Sequence, residues 1–141
     1  MNNISIKPSV EFIPDKFSKW VLFSKDDCSI WIAGDDIKKK YKFLIKHITT
    51  KKNINKEHIK QFITDLDDHF GIIVISQNWS FAAVDCARTF PIFWNKKNDK
   101  IVVSPQAKCI ADKYESTIDK NQLLAFQMSG YCINEGTLWK G

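Results

Sequence analysis

The segment that most constrains the fold of this chain is residues 70–76, which read FGIIVIS and are nearly all apolar. Such a run is typical of a β-strand that is covered on both faces, because neither face then has to meet water. Gln77-Asn78 follows as a tight turn, and residues 79–84 run back as a second strand. The pattern predicts a β-hairpin.

Three short β-rich runs precede this hairpin, at residues 10–13, 20–23 and 28–33, and Pro14-Asp15 separates the first two as a turn.

After these runs, the spacing of the apolar residues becomes that of a helix. The first predicted helix has its apolar side at Ile37, Tyr41, Leu44, Ile45 and Ile48, with lysines on the other side. The second has Ile59, Phe62, Ile63 and Leu66. Asn53-Ile54-Asn55 breaks the helical pattern between them, and Asn55 is the expected N-cap of the second helix.

A second hairpin is predicted from strands at residues 90–94 and 100–104, joined by a loop at 95–99. Pro91 has no N–H group for a ladder, so it belongs at a strand start or a sheet edge.

Two further helix starts are marked in the sequence. Ser104-Pro105 has the order of an N-cap followed by proline at the first helical position. Asp119 and Gln122 have the spacing of a capping box, and Gly130 then ends that helix. These elements together predict an α+β fold in a single domain over residues 1–141.

Composition excludes several classes of protein. The 141 residues suit one hydrophobic core, and no apolar run is long enough for a membrane span. The first residues lack the pattern of a secretory signal, and the four cysteines form no C-x-x-C pair. We therefore expect a cytoplasmic protein with free thiols, no metal site and no membrane partner.

The charge is concentrated in residues 38–60, which hold nine lysines and a single acid, Glu57. A basic stripe can mark a nucleic-acid interface. Proteins that recognise specific nucleic-acid sequences usually use arginine for bidentate contacts, and residues 38–60 contain no arginine. A solvated helical face is the preferred interpretation, and no nucleic-acid partner is expected.

A series of motifs in residues 66–141 resembles a known family. In order, they are Leu66-Asp67-x-x-Phe70-Gly71, Asp85-x-x-Arg88-x-x-Pro91-Ile92-Phe93-Trp94, Ser104-x-x-Ala107-x-x-Ile110, Gly130-Tyr131 and Thr137-Leu138-Trp139-x-Gly141. This order is similar to that of the type 2 glutamine amidotransferase domain of the asparagine synthase family. The resemblance implies the N-terminal-nucleophile fold, a four-layer αββα sandwich with two facing antiparallel sheets and outer helices.

The resemblance also implies a chemistry, from which this chain departs. Family members use a cysteine that becomes N-terminal after Met removal, whereas Asn2 follows Met1 here, and an amide cannot form a thiolate. Asp67 matches the acid that would hold the α-amino group of glutamine. Asp85 and Arg88 match a second segment of the family motif, so the three are the substrate-binding candidates, and no catalytic residue is assigned.

We therefore expect a catalytically degenerate amidotransferase-like domain, the N-terminal part of a longer or split asparagine-synthase-like protein. Its partner would be an ATP-pyrophosphatase synthetase domain, in cis or in trans, that adenylates a carboxylate and forms an amide. ATP and magnesium would belong to that domain alone, and this one would carry no cofactor. Self-association into a homo-oligomer stays open.

Alternatives remain at a few residues. The domain could still hydrolyse glutamine if cleavage after Asp27 exposed the amine of Cys28, although an inert core thiol is the simpler interpretation. Asp85 and Arg88 could pair with each other and fix the strand entry into Phe90-Pro91, and this structural role is favoured over a catalytic one. His69, beside Asp67 and Asp68, could form an acid–base or cation-binding cluster, although a turn with satisfied polar side chains is favoured.

Overall fold

The computed structural model describes residues 9–17, 19–49, 54–66, 68–134 and 136–140. Its strands are β1 (Ser9–Phe12), β2 (Val21–Lys25), β3 (Cys28–Gly34), β4 (Phe70–Ile75), β5 (Ser80–Val84), β6 (Phe93–Lys97) and β7 (Lys100–Ser104). Its helices are α1 (Ile37–Thr49), α2 (Lys56–Thr64), α3 (Ala107–Tyr114) and α4 (Lys120–Ser129). The chain is thus α+β, as predicted, with one sheet of three strands and one of four.

The chain divides into two compact units. The four-stranded unit comprises residues 16–92, and the three-stranded unit comprises residues 1–15 and 93–141. No helix in the described residues is both long enough and apolar enough to cross a membrane.

The sheet of the four-stranded unit has the strand order β2-β3-β4-β5, and every neighbouring pair is antiparallel. The predicted hairpin of β4 and β5 is confirmed, and β4 is buried from Phe70 through Val74. One face packs on the two helices, where the buried cluster contains Ile30, Ile32, Leu44, Phe62, Phe70, Ile72, Val74 and Ala83. On the other face, a Cβ on Gly71 would lie 2.6 Å from the Trp20 ring, so only glycine fits there.

The two helices of this unit begin and end close to where the apolar period places them. Asn55 caps α2 through its side-chain oxygen, which accepts a hydrogen bond from the His58 N–H at 3.0 Å. Phe43 of α1 stacks on Phe62 of α2, with ring centroids 5.5 Å apart. Asn53, part of the predicted break, lies outside the described residues.

The three-stranded sheet has the order β1-β7-β6 and is mixed. β6 and β7 are antiparallel, but β1 runs parallel to β7, with Ser9 opposite Lys100 and Phe12 opposite Val103. The expectation of a wholly antiparallel sheet is wrong at this pair. Parallel strands need a long connection, and here the whole four-stranded unit lies between them in the sequence.

The predicted second hairpin exists, but its first strand is displaced along the chain. Residues 95–97 pair with β7 instead of forming the loop, and only Asn98 and Asp99 connect the strands. Asn98 has a φ of 55°, which asparagine tolerates well. The polar side chains of β6 fit because it is an edge strand, whereas Pro91 precedes the strand and donates nothing to the ladder.

One predicted helix start in this unit is confirmed and one is wrong. Asp119 caps α4 by accepting from the N–H groups of Asn121 and Gln122 at 2.9 and 3.2 Å, and Gly130 ends the helix with a φ of 78°. Gln122 does not complete the capping box, because its amide bonds to the backbone of Ile133. Ser104 is the last residue of β7, since it pairs with Phe93, and α3 begins after Gln106.

Candidate functional site

Polar side chains meet at one end of the four-stranded sheet. There β3 ends opposite the start of β4, with Gly34 paired to Phe70, and β5 ends with Val84 paired to Gly71. The residues flanking these strand ends are therefore brought together. We call them the sheet-end cluster, which consists of Lys40, Asp68, His69, Asp85, Arg88 and Thr89.

Asp85 is the buried centre of this cluster, with only 8% of its surface exposed. Its Oδ2 accepts a hydrogen bond from the Phe70 N–H at 3.1 Å. Its Oδ1 accepts from the Thr89 N–H at 3.3 Å and from the Thr89 hydroxyl at 3.1 Å. The carboxylate thus joins the loop after β5 to the first residue of β4.

These hydrogen bonds determine the charge state of Asp85. Burial alone raises the pKa of a carboxyl, because the charged form loses its hydration. Here the backbone N–H groups of Thr89 and Phe70 and the Thr89 hydroxyl outweigh burial, so the pKa of Asp85 lies below its usual value. Asp85 is therefore an ionised structural acceptor rather than a proton donor at neutral pH.

Arg88 lies in the same loop but does not pair with Asp85. Its side chain is exposed and its φ is 54°, while its backbone N–H donates to the Asp85 carbonyl at 2.9 Å. Among the described residues, no ion pair links the two side chains. The predicted pairing is wrong because Asp85 points inward, and Thr89 supplies the contact that fixes the turn.

Asp67, the third predicted substrate-binding residue, lies outside the described residues. Its neighbour Asp68 forms an ion pair with Lys40, with Oδ2 and Nζ 3.4 Å apart. The structure therefore places Asp85 and Arg88 in the same loop. On the C-terminal side of Asp67, the ion pair between Asp68 and Lys40 connects the chain to α1.

His69 has a hydrogen-bond partner that the sequence did not suggest. Its Nδ1 lies 3.0 Å from the Thr89 hydroxyl oxygen. That hydroxyl has one hydrogen, which it donates to the Asp85 carboxylate. The Thr89 oxygen can therefore only accept from His69, so Nδ1 carries the hydrogen and Nε2 of the neutral ring is the acceptor.

Lys40 is a member of the cluster that sequence reasoning missed. Only 4% of it is exposed, and its ammonium donates to the Asp35 carbonyl as well as to Asp68. It lies three residues after Ile37 and four before Leu44, so it falls on the apolar side of α1. Its position on the apolar side of the helix could have identified Lys40 from the sequence. Lys40 therefore does not belong to the solvated lysine face that the sequence predicts.

The cysteines are distributed over both units. Cys28 is half-buried at the start of β3, the end of that strand opposite to Gly34 and the sheet-end cluster. Cys86 is exposed beside Asp85, while Cys109 and Cys132 belong to the three-stranded unit. In the described part of the chain, no three His, Cys, Asp or Glu residues are grouped as metal ligands.

The three-stranded unit carries a second feature of functional interest. None of the residues of α4 is buried, although the helix reads KNQLLAFQMS. Five large apolar side chains in and just after this helix are exposed by 45–80%, namely Leu124, Phe126, Met128, Tyr131 and Ile133. We call these residues the α4 surface.

Comparisons with protein-family models, with curated proteins and with solved structures found no match to this chain. Its function therefore has to be inferred from the sequence and the geometry. The geometry offers a carboxylate-centred junction at one sheet end and an exposed apolar helix in the other unit.

Proposed function

We propose that this chain is a catalytically degenerate glutamine amidotransferase-like domain of an asparagine-synthase-related protein. In this proposal it acts as a docking domain for an ATP-dependent synthetase domain, which adenylates a carboxylate and forms an amide. The observation that carries the proposal is the exposed apolar α4 surface.

A helix with apolar residues around its circumference is normally buried. In α4, Leu124 and Met128 lie one turn apart, while Phe126 lies on the opposite side of the helix. All three are exposed. An apolar surface of this kind is typical of a protein–protein contact. A synthetase domain that covers α4 would remove these side chains from water.

The degenerate character is supported by the residues available for chemistry. Cys28, the residue that could replace the missing nucleophile, is the first residue of β3 and pairs with Lys25 of β2. Asp85, one of the family-matched residues, uses both carboxylate oxygens to hold Phe70 and Thr89. A residue occupied in this way supports the fold and leaves little capacity for a substrate.

The finer architecture belongs to the same proposal. The α+β composition with two sheets is compatible with a four-layer αββα sandwich over a single domain. In that arrangement ATP and magnesium bind only to the synthetase domain, and the complex is cytoplasmic. The competing function, an active glutamine-hydrolysing domain, requires a cysteine beside a free backbone amine.

The docking test uses an ATP-pyrophosphatase synthetase domain encoded beside this chain, purified separately and titrated calorimetrically. We expect a complex with one copy of each protein. Met128→Glu should weaken it by about 1–3 kcal/mol, because it places a charge in an apolar contact. Leu22→Glu is the matched control, since Leu22 is an exposed apolar residue of the four-stranded unit. Equal losses in both variants, or self-association through α4 instead, would contradict the proposal.

The chemistry is tested separately with a glutamine-analogue diazo-ketone, followed by mass spectrometry of the intact chain. We expect no stoichiometric adduct and no ammonia release from glutamine. One adduct per chain at Cys28 would establish the competing function.

A further inference from the structure

The side chain of Gln122 joins α4 to the segment that follows the helix. Its Nε2 donates a hydrogen bond to the Ile133 carbonyl at 3.2 Å, and its Oε1 accepts one from the Ile133 N–H at 2.7 Å. Both bonds fit a single orientation of the amide, because its NH₂ group can only donate and its oxygen can only accept. One side chain thus holds both backbone groups of Ile133, and we call this pair of hydrogen bonds the Gln122 bracket.

A glycine leaves the room that the Gln122 bracket needs. The Gly136 N–H donates to the same Ile133 carbonyl at 3.1 Å, and a Cβ on residue 136 would overlap the Gln122 amide. Any larger residue at this position must displace that amide or the backbone beside it. A substitution of Gly136 can therefore break the bracket without altering Gln122 itself.

The Gln122 bracket places Ile133 on one side of α4. Gln122 and Phe126 lie four residues apart and share a side of the helix, whereas Leu124 and Met128 lie on the opposite side. The α4 surface therefore has two parts. Leu124 and Met128 belong to the helix alone, while the Phe126 side continues into the segment that contains Ile133.

The bracket fixes an exposed apolar side chain. Ile133 and Phe126 are exposed by 55% and 45%, so neither is held by a core. Both hydrogen bonds of Gln122 are also exposed to solvent, where such bonds add little to folding stability because water offers the same partners. Fixing Ile133 in this position thus contributes more to a contact with a partner than to the fold.

We propose that Gln122 is a positioning residue of the α4 surface. By holding the backbone of Ile133 in the free chain, it presents the Ile133 side chain beside Phe126 to the synthetase domain. This inference rests on the docking function proposed above, and it adds that the Phe126 side of the contact is ordered before binding. Ordering a segment during association reduces affinity, so a surface that is already ordered binds more tightly. Gln122 acts through Ile133 and does not itself have to touch the partner.

The bracket is tested first in the free chain, by NMR measurement of amide hydrogen exchange. We expect the Ile133 amide to exchange about tenfold faster in Gln122→Ala, because its acceptor is removed. Gly136→Ala should accelerate this exchange as well, by displacing the same acceptor. Gln127→Ala, at an exposed glutamine of the same helix, is the matched control and should leave the rate unchanged. The same spectra report whether each variant is folded.

The positioning role is tested by a double-mutant cycle, in which the full chain is titrated calorimetrically with the synthetase domain. Gln122→Ala should weaken binding about three- to tenfold, because Ile133 must then be ordered on association. In an Ile133→Ala background the same change should cost little, since the side chain that it positions is gone. In a Met128→Ala background it should cost as much as in the unaltered chain, because Met128 lies on the other side of α4.

The outcomes separate this inference from the docking function. If the unaltered chain forms no complex, the docking function is contradicted, and this inference with it. If the complex forms but Gln122→Ala weakens it equally in the Ile133→Ala and Met128→Ala backgrounds, Gln122 only supports the fold and its positioning role is overturned. Binding that does not respond to Gln122→Ala overturns that role alone, and so does an Ile133 amide that exchanges equally fast with and without Gln122.

Discussion

The backbone N–H of Phe70 donates a hydrogen bond to Oδ2 of Asp85, 3.1 Å away, across a sequence separation of 15 residues. In return, the N–H of Asp85 donates to the Phe70 carbonyl at 3.1 Å. The pair closes the end of the β4–β5 hairpin opposite its tight turn. The first strand residue of β4 is thus fixed by a side chain as well as by the ladder.

Replacing Asp85 tests this closure. Asp85→Ala should lower the free energy of unfolding by about 1–3 kcal/mol, because the buried N–H group of Phe70 and the N–H and hydroxyl groups of the more exposed Thr89 lose their acceptor. Urea denaturation measures the change. Asp27→Ala, at an exposed acid in the β2–β3 turn, is the control and should shift the midpoint little. Equal effects of the two variants would show that the Asp85 contacts add nothing to stability.

The loss of folding stability at acidic pH should depend on the carboxyl group of Asp85. The pKa of Asp85 is lower in the folded than in the unfolded chain, so its stabilisation is present above the unfolded value and disappears as pH falls through the folded one. Between about pH 5 and pH 3, Asp85→Asn should therefore lose less stability on acidification than the unaltered chain does. Urea midpoints across this range measure the difference, and parallel curves would refute the assignment.

Glu11 also contributes to the loss of stability at acidic pH, because its hydrogen bonds with Lys100 and Lys113 lower its pKa in the folded chain. The comparison is therefore made with Glu11 retained in both proteins.

The tautomer of His69 is a direct consequence of the Asp85–Thr89–His69 chain of hydrogen bonds. Long-range ¹H–¹⁵N spectra of the neutral imidazole should show a protonated Nδ1 and an unprotonated Nε2. Thr89→Val removes the acceptor and should return the ring to a mixture of tautomers. A protonated Nε2 in the unaltered chain would contradict the hydrogen-bond assignment.

Lys40 and Asp68 should respond unequally to mutation. Asp68→Ala leaves a buried ammonium without its carboxylate, so we expect a loss of about 1–3 kcal/mol in unfolding free energy. Lys40→Met replaces the buried ammonium by an apolar side chain and leaves Asp68 in contact with water, so its cost should be smaller. Chemical denaturation of both variants measures the order. A larger loss in Lys40→Met than in Asp68→Ala would contradict the expected order.

Sequence patterns predicted the elements that depend on local chemistry. Three such predictions are confirmed, namely the apolar run of β4, the helical period of α1 and the Asn55 cap. Each of them depends on residues that are only a few positions apart in the sequence. The direction of β1 could not be predicted, because its pairing with β7 is parallel and bridges most of the chain.

The sheet-end cluster was predicted only in part, for a related reason. Asp85 was singled out, but its partners Phe70 and Thr89 follow from the folding of a hairpin back on itself. Arg88 was the nearer charge in sequence, and charge alone suggested the wrong partner. Asp85 instead contacts Phe70 and Thr89, because its buried carboxylate accepts hydrogen bonds from their N–H groups.

Coverage of α4 by a synthetase domain is the contact on which the proposed function depends. Hydrogen–deuterium exchange of the chain, alone and mixed with that domain, tests it most directly, because amides of an exposed short helix exchange readily and become protected when the helix is covered. We predict that protection on mixing is concentrated in residues 120–133. Unchanged exchange in this segment, with the partner bound elsewhere or not at all, would contradict the account.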